Sequence, residues 1–459
     1  MTWFSGITMR KLLLSAAIAV PLLLLLAMGV YNLPPVHDRL AWRVAEVRAN
    51  VEYALHPPEQ VIFVPQAQET GLPQTTPLPP PAISVRSSHP SPAVTEPPSA
   101  SATSVAPDVA PPTAVTPAAS PTPTAAPLPE KASLAGIVHE YQQWNNCGPA
   151  NLSMALSFWG WQGSQNDTAA FLKPNPRDKN VMPYEMANYV NEMTGLKALV
   201  RVGGDVQLLK TFIAAGFPVI IEKGFEGPNF PGWMGHYEVV NAYDDGRGRF
   251  TVQDSYIMAD LPIPYDELEY HWQAFNYVYI IMYPPEREAE VMSILGPHAD
   301  ETDNYRSAAE KASQEIFASS ERELYFAWYN RGTNLMYLQD YIGAAAAYDE
   351  AFKLYPPIPE KQRPWRMLWY QTGPYFAYFF SQRYYDVINL ATTTIDTAPE
   401  PAIEESFYWR ARAYIELYRL DNSKSDYLQI AIGDLQTSLK WHSGFGPSLA
   451  LLQELGVSE

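Results

Sequence analysis

The sequence contains a single cysteine, Cys147, so no disulfide can form within the chain and ordinary packing must stabilise it. Basic residues are also scarce, with 31 Lys and Arg against 49 Asp and Glu and a formal net charge of −18. Nucleic-acid binding needs a basic surface, so this deficit argues against nucleic acid as a partner. Phosphate-loop, HExxH and CxxC motifs are absent from the sequence. We therefore expect no nucleotide site, no metal and no cofactor.

Charged residues are missing from one long stretch near the N-terminus. Arg10 and Lys11 precede an apolar run over residues 12–33, which exceeds the roughly 20 residues that cross a bilayer. Positive charge before the run, and none after it until Arg39, predicts a single-pass anchor in the cell membrane. The N-terminus is then cytoplasmic and the rest of the chain extracytoplasmic. A cleaved signal peptide is the alternative, although its apolar core normally spans only about 7–15 residues.

The chain after the predicted anchor has little that could form a core. Residues 34–64 are a juxtamembrane segment in which Leu40, Val44 and Val47 recur at helical spacing. Residues 65–130 are dominated by Pro, Ala, Ser and Thr. Such a composition predicts a disordered, partly extended linker that holds the following domains away from the membrane.

Aromatic residues and regular patterns return in residues 134–285, which we predict to be an α+β domain. Apolar or alternating segments that predict strands lie at 217–225, 236–256 and 277–284. The second of these reads as a β-hairpin around "DDGRGR", with Tyr243 opposite Arg249. Helical spacing precedes the strands in "NCGPANLSMALSFWGW" and "MPYEMANYVNEMTG", each with Pro near its start. Helices followed by a mainly antiparallel sheet are typical of an α+β arrangement.

Residues 305–455 have helical patterns that repeat. The segment 327–356 resembles the tetratricopeptide repeat, in which small residues let two antiparallel helices approach closely. The matching residues are Trp328, Gly332, Tyr341, Ala345, Tyr348, Ala351 and Pro356. Two further copies, at 368–399 and 407–445, are enough for a stacked array. The resemblance implies an all-α domain that binds a protein partner. The run "YFAYFF" (375–380) is typical of packing between helices, and a peptide groove is the alternative.

The single cysteine has the surroundings of a reactive group. Pro149 is tolerated in the first turn of a helix, which places Cys147 at or just before the helix N-terminus. The helix dipole and the free N–H groups there stabilise a thiolate. Free cysteines are more often buried and inert, but this one follows the polar pair Asn145 and Asn146.

A base, an orienting acid and an oxyanion donor have candidates in the same domain. His236 opens a predicted strand, and Asp254 lies on the partner strand at a comparable distance from the turn. We expect Asp254 to hold one ring nitrogen of His236 while the other faces Cys147. An amide side chain just upstream would join the Cys147 N–H in binding an oxyanion. Gln142 is preferred for this role, and Gln143 is the alternative.

This order of residues resembles the papain-like cysteine peptidases. The segments "YQQWNNCGPANLSM", "GHYEVVNAYDD" and "VQDSY" are similar to the bacteriocin-processing, double-glycine-leader peptidases and their stand-alone relatives. The resemblance implies Cys147 as nucleophile, His236 as base, Asp254 as orienting residue and Gln142 as oxyanion donor in peptide-bond hydrolysis through a thioester. Leader peptidases of bacteriocin exporters carry transporter and ATPase domains and act in the cytoplasm. This chain reproduces neither feature, so a double-glycine substrate is not implied.

The sequence thus predicts a membrane-anchored, extracytoplasmic cysteine peptidase that acts on a peptide or protein, with a repeat domain for a protein partner. Two alternatives stay open. One is a catalytically silent peptidase-like module that binds peptides as an adaptor. The other is an acyl or amide transferase that uses the same Cys-His-Asp set and passes the thioester to an amine instead of water.

Overall fold

The computed structural model describes residues 62–66 and 127–457, except 176, 227–231 and 399–400, together with scattered positions between 19 and 51. Residues 19–23 and 25–33 of the predicted anchor are described, whereas the juxtamembrane segment and the linker lie largely outside the described residues. No helix among the described residues has both the length and the apolarity needed to cross a membrane. The chain divides into one unit made of Met1–Thr70 and Leu128–Glu459 and a second made of Gly71–Pro127, of which only Pro127 is described.

Seven antiparallel strands form one sheet, in the order β2-β7-β3-β4-β5-β6, with β1 also paired to β4. Their bounds are β1 Lys131–Ser133, β2 Lys197–Arg201, β3 Val219–Phe225, β4 Met234–Asp244, β5 Arg249–Gln253, β6 Leu261–Pro264 and β7 Tyr279–Tyr283. The strands are short and rich in β-branched and aromatic residues, which suits a pleated surface covered by helices. The longest strand, β4, is buried along nearly its whole length.

Helices cover both faces of this sheet. The first five are α1 Cys147–Phe158, α2 Gln165–Leu172, α3 Pro183–Met193, α4 Val206–Ala214 and α5 Tyr265–Trp272. One apolar core joins α1 and α3 to the sheet, and a second core joins α4 and α5 to it. Every residue of α1 from Gly148 to Leu156 is buried, as expected of a helix that is apolar on all sides. Both β2 and α4 precede β3, so helices and strands interleave more than the sequence predicted.

The hairpin of β4 and β5 differs by one position from the predicted register. Tyr243 lies opposite Phe250, and Asp244 lies opposite Arg249, so the predicted pairing of Tyr243 with Arg249 is wrong. A β-bulge between Val240 and Ala242 then shifts the pairing along the strand. A bulge inserts one unpaired residue, which counting outward from the turn cannot reveal.

A helical region follows the sheet. Its helices are α6 Glu288–Leu295, α7 Glu301–Ala318, α8 Glu321–Tyr337, α9 Tyr341–Leu354, α10 Met367–Tyr370, α11 Gly373–Phe380, α12 Tyr384–Asp396, α13 Glu404–Leu420, α14 Ser425–Trp441 and α15 Gly446–Glu454. The helical character expected of residues 305–455 is confirmed. Helices α8 and α9 pack together, as do α13 and α14. Their assignment as tetratricopeptide repeats stays a prediction.

The helical region packs directly on the end of β4 that carries His236. Trp233 stacks on Phe275 with ring centroids 5.6 Å apart, and Phe326 and Tyr370 close over the same indole. These four rings belong to one apolar core that runs from the sheet into the helices. The guanidinium of Arg366, which is buried, donates to the Trp233 carbonyl at 2.6 Å. The sheet and the helices are therefore joined through residues just before the candidate histidine.

Candidate active site

Cys147 is the first residue of α1. It is partly exposed, whereas the nine residues that follow it, Gly148 to Leu156, are buried. The first N–H groups of a helix have no partner within the helix and carry a partial positive charge. The sulfur therefore lies at an exposed position where a negative charge is favoured.

His236 and Asp254 meet beside this helix end. His236 lies near the start of β4, and Asp254 is the first residue after β5. The Nε2 atom of His236 lies 3.2 Å from Asp254 Oδ1, and both side chains are almost completely buried. Backbone N–H groups of Tyr256 and Ile257 donate to the same carboxylate oxygen at 2.6 and 2.7 Å. The carboxylate is therefore fixed by its own loop before it contacts the imidazole.

The imidazole also interacts electrostatically with the Cys147 side chain. Burial alone lowers the pKa of His236, but the Asp254 charge and hydrogen bonds to Asp254 and Cys147 outweigh it and raise the pKa to about 10. Burial raises the pKa of Asp254, yet the charge of His236 and its hydrogen bond hold that pKa well below its usual range.

The two candidate glutamines point to different surroundings. Gln142 is buried, and its backbone N–H donates to the Ser255 carbonyl at 2.8 Å. Its side-chain Oε1 accepts from the Ser255 hydroxyl at 2.9 Å. Gln143 instead donates through Nε2 to Asn166 on α2 at 3.0 Å, in an exposed position. Of the two, Gln142 is bonded to the residue that follows Asp254. This contact favours Gln142 as the oxyanion donor.

Asn151 connects the parts of the site, and the sequence did not single it out. Its Nδ2 lies 2.9 Å from the Cys147 carbonyl, 2.7 Å from the Tyr237 carbonyl and 3.0 Å from Ser255 Oγ. An amide nitrogen has two hydrogens, so it donates to two of these acceptors at a time. The fully buried side chain of Asn151 thus links α1, β4 and the loop after β5, whose Ser255 bonds to Gln142. A polar residue one turn after Cys147 in an otherwise apolar helix was the signal available in the sequence.

A buried ion pair lies behind the carboxylate and was also missed. Lys223 Nζ on β3 lies 2.8 Å from Glu238 Oε1 on β4, and both side chains are almost completely buried. Burial raises the pKa of Glu238 to about 7, against the opposing charge of Lys223. The negative charge of Asp254 also raises the pKa of Glu238. In the sequence, charged residues stood inside two largely apolar strand segments, Glu222 and Lys223 in one and Glu238 in the other, which was the signal for a buried pair.

The donor set around Asp254 fits a metal ion poorly. Within the described residues, His236, Glu238 and Asp254 offer ligand atoms that lie within 4.8 Å of one another. Asp254 Oδ1 already accepts two backbone hydrogen bonds. The ammonium of Lys223 already contacts Glu238. A second cation there would be repelled by that ammonium at low dielectric.

Carboxylates gather where the loop before α3 meets the helical region. Asp178 and Glu185 interact electrostatically with Glu404 and Glu405, and His442 Nδ1 lies 2.9 Å from Glu404 Oε1. Burial raises the pKa of Asp178 to about 7, of Glu185 to about 8 and of Glu405 to about 7, and neighbouring carboxylates add to each rise. We call these four acidic residues and His442 the interface cluster.

The interface cluster is connected to the nucleophile end of α1. Asn145 donates through Nδ2 to the Asp178 carbonyl at 3.1 Å. Nearby, Asn175 donates through Nδ2 to the carbonyl of Trp441 on α14 at 2.6 Å. The loop that lines one side of Cys147 is thereby held by the helical region.

Comparison with known proteins finds similarity over the part of the chain that contains these residues. Residues 137–282 match the model of the Peptidase_C39 like family, a span that contains Gln142, Cys147, His236 and Asp254. A crystal structure of a "putative C39-like peptidase" from Bacillus anthracis is similar, with 17% identity, a TM-score of 0.27, and coverage of 33% of this chain and 97% of that chain. No curated protein matches the chain.

Residues 137–282 are therefore similar to the C39-like peptidases and include most of the antiparallel sheet, which a helical region follows. The resemblance expected from the sequence is found over this span. The structure brings Cys147, His236, Asp254 and Gln142 to one place, and their catalytic roles stay predictions.

Proposed function

We propose that the domain is a cysteine peptidase in which Cys147 is the nucleophile. The observation that carries the proposal is the position of His236, whose Nε2 lies 3.2 Å from the Asp254 carboxylate and whose imidazole interacts electrostatically with the Cys147 side chain. A base that touches the nucleophile and is itself oriented by a third group is the arrangement nucleophilic catalysis requires. The family matched by residues 137–282 supports a peptide or protein as substrate.

The reaction follows from these contacts. The Cys147 thiolate attacks the carbonyl carbon of a peptide bond, and the protonated His236 gives its proton to the departing amine as the C–N bond breaks. A thioester between Cys147 and the acyl part remains. His236, now neutral, takes a proton from a water molecule that attacks the thioester. The C–S bond breaks, the carboxylic acid product leaves, and the Cys147 thiolate and protonated His236 are restored. Asp254 keeps the ring oriented and stabilises its positive charge throughout.

The negative oxygen formed in each attack needs hydrogen-bond donors. The backbone N–H of Cys147 belongs to the first turn of α1, where N–H groups lack helical partners. Gln142 engages Ser255 through Oε1, which leaves its Nε2 as a donor that can be aimed elsewhere. These two groups form the proposed oxyanion hole.

Turnover by the full chain tests this proposal. We expect wild-type protein to cleave members of a peptide library and Cys147→Ala to have no activity with an unchanged melting temperature. Asp254→Asn should lower kcat by about two to four orders of magnitude, because an amide can hold the ring in the wrong tautomer. Asp266→Asn, an exposed change on α5, is the matched control and should leave kcat unchanged.

The outcome also separates the alternatives. A wild-type chain that binds library peptides and cleaves none would favour a silent adaptor and contradict the proposal. Products that appear only when an amine is added, joined to that amine, would favour acyl or amide transfer. Hydrolysis products that form at the same rate with and without amine would favour peptidase activity.

We further propose that the helical region binds a protein partner.

We also propose that a single membrane anchor holds the domain outside the cytoplasm. The charge distribution around residues 12–33 supports this location. Because Cys147 is the single cysteine, a membrane-impermeant thiol reagent applied to intact cells reports on that residue alone. We expect labelling of wild type and none of Cys147→Ala. Labelling of wild type only after lysis would contradict the orientation.

A further inference from the structure

A short segment near the N-terminus is bound by the helical region. Residues 62–66 belong to no helix or strand, and Phe63 is 7% exposed although the next residue, Val64, is 68% exposed. The Phe63 ring packs edge-on against Phe352 of α9, with centroids 4.9 Å apart, and lies 6.1 Å from Tyr378 of α11. One aromatic side chain thus fills a slot between two helices while its neighbour remains in solvent.

The main chain three residues later is held at two points. The N–H of Gln66 donates to Asp386 Oδ1 at 2.7 Å, between residues 320 apart in the sequence. The Gln66 carbonyl accepts from Arg383 Nη2 at 3.3 Å. Both polar groups of one peptide residue are therefore satisfied by side chains of the helical region, while the Gln66 side chain itself is exposed.

The side chains that bind the Gln66 backbone also hydrogen-bond to one another and to neighbouring residues of the helical region. Arg383 pairs with Asp386 through Nε at 2.7 Å and with Asp349 of α9 through Nη1 at 2.7 Å. Its guanidinium lies 4.4 Å from the ring centroid of Tyr378, whose hydroxyl donates to Asp349 at 2.9 Å. This network, like the aromatic slot, would keep its geometry if the segment left, because its own hydrogen bonds do not pass through residues 62–66.

We propose that α9, α11 and α12 form a binding site for an extended peptide, and that residues 62–66 are its resident ligand in the intact chain. The site takes an aromatic side chain into the slot between Phe352 and Tyr378. It grips the backbone of the residue three positions further on with Asp386 and Arg383. Since backbone groups are alike in all peptides, the aromatic residue supplies most of the selectivity.

The resident segment competes with any external peptide. A ligand tethered to its own site acts at an effective concentration of up to about millimolar. An external peptide of the same sequence therefore binds the wild-type chain weakly and binds well once Phe63 is removed. The proposal does not depend on the catalytic function and concerns a different part of the chain.

A fluorescent synthetic peptide with the sequence of residues 60–68, titrated against full-length protein by anisotropy, tests the site. We expect Phe63→Ala to bind this peptide at least about tenfold more tightly than wild type. Val64→Ala alters the exposed neighbour in the same segment and should behave like wild type. The melting temperature of Phe63→Ala should stay within a few degrees of wild type.

Changes within the peptide test the two contacts separately. A peptide with Phe63→Ala should lose binding to the Phe63→Ala protein. A peptide with Gln66→Pro lacks the N–H that Asp386 accepts and should bind several-fold more weakly than one with Gln66→Ala, which keeps it. Equal affinity of wild type and Phe63→Ala protein for the unaltered peptide would overturn the proposal. So would unfolding of the Phe63→Ala protein, because Phe63 would then be part of the core and not a ligand.

Discussion

At the scale of single residues, hydrogen bonds around the candidate site decide which atoms face the substrate. The Ser255 hydroxyl lies within bonding distance of Asn151 Nδ2 and of Gln142 Oε1. When the Ser255 hydroxyl accepts from Asn151 Nδ2, its hydrogen can be donated to Gln142 Oε1. Gln142 then has its oxygen engaged and its Nε2 available as a donor. The orientation of the proposed oxyanion donor is thus set by a side chain that touches no reacting atom.

Removing the Ser255 hydroxyl should therefore impair hydrolysis more than it impairs the nucleophile. We expect Ser255→Ala to lower kcat at least about tenfold, since losing a whole oxyanion donor costs about 10²–10³. Alkylation of Cys147 by iodoacetamide forms no oxyanion and should proceed at the wild-type rate. Ser255→Thr restores a hydroxyl and should recover most of kcat.

The two readouts separate positioning from a general structural effect. If alkylation and hydrolysis fall together in Ser255→Ala, the serine supports the fold of the site and does not orient Gln142. If wild type hydrolyses nothing, the failure belongs to the proposed function and not to the role of Ser255.

At the scale of elements, two helices of the helical region approach closely because one position lacks a side chain. A Cβ added at Gly332 on α8 would lie 2.9 Å from the ring of Tyr348 on α9. That ring is fully buried and its hydroxyl lies 3.0 Å from Thr333 Oγ1, so it has little freedom to move. The sequence predicted a close approach of two helices from the small residues Gly332 and Ala345.

Substitution of this glycine should destabilise the helical region. Alanine in place of glycine inside a helix ordinarily gains about 0.5–1 kcal/mol, but forcing a methyl group into a packed seam costs about 1–3 kcal/mol. We expect Gly332→Ala to lower the midpoint of urea unfolding. Gly433→Ala on α14 is the matched control, because nothing lies within 4 Å of its added Cβ. It should raise the midpoint, and a similar rise in both variants would contradict the close packing.

At the scale of the whole molecule, the interface cluster places buried carboxyl groups between the helical region and the domain that contains the sheet. Ionising these groups costs free energy because they are buried. Burial raises the pKa values of Asp178, Glu185 and Glu405 to between about 7 and about 8. The folded chain therefore keeps protons that the unfolded chain has already lost above the ordinary pKa of 3.8 or 4.5. Stability from the interface cluster is present at low pH and is lost as the pH rises towards 8. His236, with its pKa raised to about 10, adds a loss of the same sign above pH 6.5.

The melting temperature should consequently be higher near pH 5 than near pH 8. Glu185→Gln keeps an acceptor for the Met182 N–H that Glu185 now receives at 2.8 Å, and it cannot ionise. We expect this variant to flatten the dependence between pH 5 and pH 8 and to raise the melting temperature at pH 8. Glu192→Gln, at an exposed position on the same helix, is the control and should follow the wild-type curve. A steeper fall in Glu185→Gln would contradict the assigned direction.

Local patterns in the sequence were sufficient for several features. Pro149 places Cys147 at the start of a helix because proline fits only a first turn, and the glycine-rich turn predicts the hairpin that carries His236. These are short-range properties of the backbone, which neighbouring residues dictate. The helical character of the C-terminal region follows in the same way from its periodicity.

Features that depend on contacts between distant segments required the tertiary structure. The contact that favours Gln142 over Gln143 as the proposed oxyanion donor comes from Ser255, more than a hundred residues away. The bulge in β4, the ion pair of Lys223 with Glu238 and the docking of Phe63 likewise come from partners on other elements. A sequence fixes what each side chain can donate, accept or bury, but which group it meets is decided only when the chain has packed.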